Sequence, residues 1–230
     1  MEKRLAILSD LHIGNEHCVI GLIKENIAKC LEDKIDEVWL GGDLIEYVTK
    51  RSVGKQTMPT NDQLDLIIEL LEPIKHKITK IIYGNHEQRA MRTYNIDPTR
   101  TIAAELGLKD KYVGSNKDTG EIWGFKYYIE HPLKGSGVQP SSYDLLNRKL
   151  MRNHNAELFI IPHFHTLFAD IIYQLDTDKH TRIPHYFIYG GGYVDYWNSF
   201  GHDIHARPQI LGSRVIVFDL DHHIIGVEML

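Results

Sequence analysis

Apolar runs and amphipathic stretches alternate through the first part of the chain. Leu5-Ala6-Ile7-Leu8 is apolar at every position and stops at Ser9-Asp10, as expected of a strand buried on both faces. In 16–31 apolar residues recur at Val19, Ile20, Leu22, Ile23, Ile27 and Leu31, which predicts a helix over 17–33. Glu37-Val38-Trp39-Leu40 predicts a second short strand, ended by Gly41-Gly42-Asp43. After a polar loop over 49–62, Leu64, Ile67, Ile68 and Leu71 share one helical face, with Pro73 near its end. Residues 78–83 predict a third strand, ended by Gly84-Asn85-His86. The order β-α-β-α-β implies parallel strands joined by crossover helices.

The second half is richer in strands. Residues 126–130 predict a strand running into His131, Tyr143–Asn153 a helix, and Leu158–Ile161 a strand running into His163. Further β-rich runs follow at 167–175, 183–189, 214–219 and 223–229, with a Gly- and aromatic-rich loop over 190–208 between them. No repeat, low-complexity segment or linker-like boundary interrupts residues 1–230. One domain of two sheets covered by helices is the simplest architecture.

Composition narrows the class. The 230 residues are 43% hydrophobic and 25% charged, which suits a globular chain with one core. No apolar run reaches the ~18 residues that span a membrane, and Met1-Glu2-Lys3-Arg4 does not lead into a signal peptide. A net charge of −5 disfavours a protein held to nucleic acid by a basic surface alone. Cys18 and Cys30 would lie roughly 18 Å apart on one helix, beyond the ~7 Å reach of a disulfide. Unpaired thiols without a signal point to a cytoplasmic protein, and the absence of C-x-x-C excludes a zinc ribbon. The unusual number is 14 histidines.

Five of those histidines are placed, not scattered. Asp10-Leu-His12, Gly42-Asp43, Gly84-Asn85-His86-Glu87, His131 and His163-Phe-His165 each follow an apolar strand. Ligands of open α/β sheets bind beyond the strand carboxyl ends. Two Asp, one Asn and five His offer oxygen and nitrogen donors without thiolate, suited to Mn²⁺, Fe, Zn²⁺, Ni²⁺ or Mg²⁺. Eight side chains are too many for one tetrahedral ion and enough for two divalent ions sharing a carboxylate. Taken singly, each motif has a plainer reading, as a turn or as two histidines on one sheet face; the ordered set favours metal chemistry.

The order D-x-H, G-D, G-N-H-[DE], H, H-x-H resembles the calcineurin-like metallophosphoesterases, across about residues 5–165, with 214–229 similar to their closing β-hairpin. The resemblance implies an α/β fold, a four-layer α/β/β/α sandwich of two mixed β-sheets flanked by helices. It implies one metal held by Asp10, His12 and His165 and another by Asn85, His131 and His163, with Asp43 bridging. His86 matches a non-ligand histidine that contacts phosphate and protonates the leaving oxygen. Glu46 stands where such proteins orient that histidine, and a carboxylate there would raise the pKa of His86. Two departures are Pro162 before His163, where glycine is usual, and His131-Pro132 in place of His-Gly. Neither removes a ligand.

The implied reaction is hydrolysis of a phosphate ester by a hydroxide bridging two ions, with Mn²⁺ favoured. Protein phosphatases, nucleases and nucleotide hydrolases all share this core, so the loops decide the substrate. Tyr193, Tyr196, Trp197, Phe200, His202, Asp203, His205 and Arg207 lie in 190–208. Aromatics beside a phosphate site can stack bases, or they can be the packed interior of a long loop. Tyr193, His202 and His205 are therefore candidate substrate contacts, with Arg89 as a phosphate fork and His17 at the start of the first helix. The layout of 190–211 is also similar to small phosphoesterases encoded in phage and prophage genomes. A phosphodiesterase or nuclease acting on DNA, RNA or a nucleotide is favoured. The alternatives are a phosphomonoesterase and, with all ligand positions filled, the less favoured non-catalytic binding module. Two divalent ions would bring the formal charge to about −1, which weakens the objection to a nucleic-acid substrate.

Overall fold

The computed structural model describes residues 1–32, 34–48, 56–133, 143–176, 180–195 and 210–230. Among them, ten strands form two five-stranded sheets. The first contains β1 (Glu2–Leu8), β2 (Glu37–Leu40), β3 (Ile78–Ile81), β9 (Arg214–Asp219) and β10 (Ile224–Met229), in the order β10-β9-β1-β2-β3. β1, β2 and β3 are parallel, with Leu5 opposite Glu37 and Leu8 opposite Leu40, while β9 is antiparallel to β1. The second contains β4 (Lys117–Ile122), β5 (Phe125–Glu130), β6 (Leu158–Ile161), β7 (Ala169–Asp176) and β8 (Thr181–Tyr189), in the order β4-β5-β6-β8-β7. Its three central strands are parallel and both edges antiparallel.

Burial on both faces explains the apolar runs. Leu5 and Ile7 point between the sheets, among Trp39, Phe125, Ile129, Leu158, Ile160 and Phe218. Ala6 and Leu8 point the other way, into a layer formed with Ile23, Ile27 and Cys30 of α1 (Ile20–Leu31) and Ile67 and Leu71 of α2 (Thr60–Leu71). On the outer face of the second sheet, Leu150 of α5 (Tyr143–Asn153) packs with Phe159, Ile161, Phe187 and Tyr189. The four layers are thus helix, sheet, sheet and helix. No helix among the described residues is long and apolar enough to cross a membrane.

Several element boundaries differ from expectation. α1 begins at Ile20, not at 17, because the preceding residues make turns, with Asn15 N donating to His12 O and Cys18 N to Asn15 O. Both cysteines are free. α2 begins at Thr60, within the stretch read as loop. Gly84-Asn85-His86 is a helix start: α3 spans Asn85–Tyr94. A further helix, α4 (Pro98–Glu105), is capped by Asp97, which accepts from Arg100 N at 2.9 Å. β4 went unread because five of its six residues are exposed or half-buried and no apolar alternation marks it. Its hairpin to β5 turns through Trp123 and Gly124, both at positive φ (48° and 89°), as a tight hairpin requires.

The ladder between β1 and β2 continues past the strand ends. Asp10 N donates to Gly42 O (3.0 Å), His12 N to Asp43 O (3.0 Å), Ile13 N to Leu44 O (3.1 Å) and Glu46 N to Ile13 O (2.9 Å). The two loops that carry Asp10, His12, Asp43 and Glu46 are therefore joined by the same kind of backbone hydrogen bonds as the strands.

Candidate metal centre

The strand order gathers the five motifs. β1, β2 and β3 are neighbours in one sheet and β5 and β6 in the other. Asp10 and His12 follow β1, Asp43 follows β2, Asn85 and His86 open α3 after β3, His131 follows β5, and His163 and His165 follow β6. Asp10, His12, Asp43, His163 and His165 all have positive φ, from 48° to 83°. Such left-handed backbone costs a non-glycine residue about 1 kcal/mol or more. Here it turns the side chains onto one rim.

Their polar atoms converge. Asp10, His12 and His165 form one group, Asp43, His131 and His163 a second, and His12, Asp43 and His86 a third, with ligand atoms in each within 4.8 Å of one another. Asp43 Oδ1 accepts the His86 backbone N–H at 2.8 Å, which leaves Oδ2 toward the site. That oxygen lies 3.7 Å from His12 Nε2 and 3.3 Å from His131 Nε2, so it faces both candidate ligand groups. His12 Nε2 is 3.1 Å from His165 Nε2. The Asn85 side-chain oxygen stands 3.1 Å from His131 Nε2, 3.0 Å from Asp43 Oδ2 and 2.8 Å from His163 Nδ1.

An oxygen placed there is repelled by Asp43 Oδ2 unless a cation lies between, while the two imidazole nitrogens donate or accept according to their tautomers. The alternative is rotation of the amide, which lets it donate to these atoms and accept from Arg89 at 3.1 Å. Converging lone pairs of oxygen and imidazole nitrogen, with no sulfur in any group, fit borderline divalent ions. The residues present therefore fit the metal pair that the motifs imply.

Burial dominates the titration of the cluster, and opposite charges decide which groups escape it. Burial alone would lower His12, but the hydrogen bond to Glu46 and the charges of Glu46, Asp43 and Asp10 outweigh it and raise the ring to about 9. His131 undergoes the same contest and is raised to about 9, chiefly by Asp43. Burial lowers His163 to about 3, with His131 adding to it. It also pushes His165 well below its ordinary value, with His12 adding to it. Burial would raise Asp43, but His131 and His86 hold it well below the usual carboxylate range. Burial pushes Asp10 up to about 6 against the pull of His131.

Glu46 and His86 correct the sequence reading. The Glu46 carboxylate was expected to orient His86 and raise its pKa. Instead Glu46 Oε2 lies 2.9 Å from His12 Nδ1 and 3.8 Å from His86 Nδ1. His86 Nδ1 is bonded by the backbone oxygen of Glu46. Burial outweighs the upward pull of Asp43 and, as expected, of Glu46, and lowers His86 to about 4.

The substrate candidates fare unevenly. Tyr193 is a second correction: it is fully buried, and its hydroxyl accepts from Asn26 Nδ2 and donates to Ser213 Oγ, both at 2.8 Å. A ring enclosed in this way cannot stack a base. His17 precedes α1, and its ring lies 3.3 Å from Glu16 Oε1. Arg89 is beside the site, with Nη1 3.4 Å from His86 Nδ1. His202 and His205 lie outside the described residues, as do Tyr196, Trp197, Phe200, Asp203 and Arg207.

Glu87 carries more than its place in the motif suggested. It is fully buried and accepts from the backbone N–H groups of Gly84 (2.8 Å), Asp43 (2.9 Å), Leu44 (2.7 Å) and Ile45 (3.3 Å). It thereby ties the start of α3 to the loop that presents Asp43. A Glu three residues after a helix N-cap is the sequence signal that identifies such a residue.

Comparison with known proteins agrees with this geometry. The family model described as calcineurin-like phosphoesterase matches residues 3–206. No curated protein matches the chain. Among solved structures, an archaeal phosphodiesterase shares 14% identity over 99% of each chain, with a TM-score of 0.50. A metallophosphoesterase from Sphaerobacter thermophilus shares 16% identity over 99% of this chain and 88% of its own, with a TM-score of 0.51. A wild-type Vps29 from Entamoeba histolytica, complexed with zinc, shares 11% identity over 99% and 98%, with a TM-score of 0.50. At these identities the likeness is one of fold. With two mixed sheets, candidate metal-binding residues at the strand ends in the expected order and a family match over most of its length, this chain belongs to the calcineurin-like phosphoesterases.

Proposed function

We propose that this chain is a two-metal phosphodiesterase that hydrolyses nucleic-acid or nucleotide phosphodiesters. One observation carries the reading: a single carboxylate oxygen, Asp43 Oδ2, adjoins both candidate ligand groups, 3.7 Å from His12 Nε2 and 3.3 Å from His131 Nε2. Asp10, His12 and His165 would hold one ion, Asn85, His131 and His163 the other, and Asp43 both. Two divalent ions supply positive charge for the phosphoryl oxygens and lower the pKa of water.

The chain's own residues do the rest. The Glu46 carbonyl accepts from His86 Nδ1, so Nε2 is the atom turned to the reacting group, 3.9 Å from Asp43 Oδ2. Without metal, burial lowers the ring to about 4 and leaves it neutral near pH 7. A phosphate anion opposite Nε2 would shift that pKa upward; a proton taken from solvent at Nε2 would then be the one passed to the leaving oxygen, returning the ring to its neutral form. Arg89, adjoining His86, would supply a guanidinium to a phosphoryl oxygen.

The test is Mn²⁺-dependent turnover of bis-p-nitrophenyl phosphate against p-nitrophenyl phosphate. The diester is expected to be the better substrate. Strong preference for the monoester overturns the diesterase assignment, and turnover of neither by Mn²⁺-loaded protein favours a binding module on the same fold.

A further inference from the structure

Glu46 touches two imidazoles with two different groups. Its carboxylate lies 2.9 Å from His12 Nδ1, and its backbone oxygen bonds His86 Nδ1. The two rings meet edge to face, with centroids 4.5 Å apart. Glu46 is buried, and its own position is fixed twice. Its backbone N–H donates to Ile13 O at 2.9 Å, and its carboxylate receives a hydrogen bond from the Asn15 side chain. We infer that Glu46 is a positioning residue that sets the two histidines independently, His12 as a metal ligand through its side chain and His86 through its main chain.

The argument is one of tautomers. A histidine that donates Nδ1–H to a carboxylate keeps the Nε2 lone pair for a metal, and such a carboxylate orients the ring and makes it a stronger donor. His12 Nε2 points at the site, 3.7 Å from Asp43 Oδ2 and 3.1 Å from His165 Nε2. The Glu46 carboxylate is 3.8 Å from His86 Nδ1, beyond hydrogen-bond reach. A backbone carbonyl survives any substitution at position 46. Changing this side chain should therefore disturb the ion at His12 and leave the hold on His86 intact. The inference rests on the two-metal reading above.

The test is a calorimetric Mn²⁺ titration of wild type, Glu46→Gln and Glu46→Ala. Loss of an outer carboxylate typically costs about 10- to 100-fold in metal affinity. One of the two sites should weaken by about that factor in Glu46→Ala and less in Glu46→Gln, which keeps an acceptor; the other site should hold its wild-type affinity. A second readout concerns His86. At saturating Mn²⁺, His86→Ala should lower turnover by the same factor in the Glu46→Ala background as in wild type. Equal weakening of both sites with a lowered melting temperature would mark a merely structural role and overturn the inference. So would unchanged affinity at both sites, or a His86→Ala effect that vanishes in the Glu46→Ala background. Failure of the underlying reading is seen separately, as a wild-type chain that binds no Mn²⁺, and it takes this inference with it.

Discussion

At the scale of single residues, the site divides into atoms that would face the proposed ions and atoms that hold those in place. Asp43 belongs to both kinds: Oδ1 takes the His86 N–H and Oδ2 faces His12 and His131. Asp43→Asn is therefore expected to weaken both ions in a Mn²⁺ titration, whereas loss of any one histidine weakens chiefly one; an unchanged site in Asp43→Asn would count against bridging. His86→Ala should lower turnover by about 10²- to 10⁴-fold, the usual worth of a general acid, with metal content by mass spectrometry unchanged. The candidate ligands were legible because their types and order are unusual after apolar runs. The roles of Glu46 and Tyr193 were not. Which imidazole Glu46 reaches depends on a difference of about an ångström, and sequence pattern does not separate a stacking tyrosine from one sealed in by Asn26 and Ser213.

At the scale of elements, the strands were readable and their attachments less so. β1, β2, β6 and β9 were marked by apolar runs because most of their positions are buried or half-buried; β10 is mostly exposed and was marked only by its apolar residues Ile224, Ile225, Val227 and Met229. β4 carries few buried positions, and the opening of α3 looked like a turn because glycine and asparagine serve both. That helix start is where Glu87 works. Glu87→Ala would strand four backbone donors in the interior, and an unsatisfied buried donor costs about 1–3 kcal/mol. The variant is expected to lose about 3 kcal/mol or more in denaturant unfolding and to bind metal more weakly. Close approach matters on the opposite wall: a methyl group on Gly192 would sit 2.9 Å from His165 Nδ1. Gly192→Ala should therefore weaken the ion at His165 with little change at the other.

At the scale of the molecule, the two sheets bring loops from both halves of the chain to one rim, and that assembly sets the pH behaviour of metal binding. His12 and His131 are raised to about 9 in the protein without metal, so each carries a proton on the nitrogen an ion needs at pH 7. Loading must expel these protons. Affinity for Mn²⁺ is expected to climb between pH 7 and about 9 and to level off above that, with proton release seen in calorimetry in buffers of different ionisation enthalpy. Affinity that is flat over this range would show that the two rings are already neutral. Because an ion held only by the folded state stabilises it, chelation should lower the melting temperature most near the top of that range. The most direct measurement is anomalous diffraction at the manganese edge from crystals grown with Mn²⁺. Two peaks are expected, one ligated by Asp10, His12 and His165, the other by Asn85, His131 and His163, with Asp43 on both. An empty rim, or a single ion that Asp43 does not touch, would contradict the two-metal account.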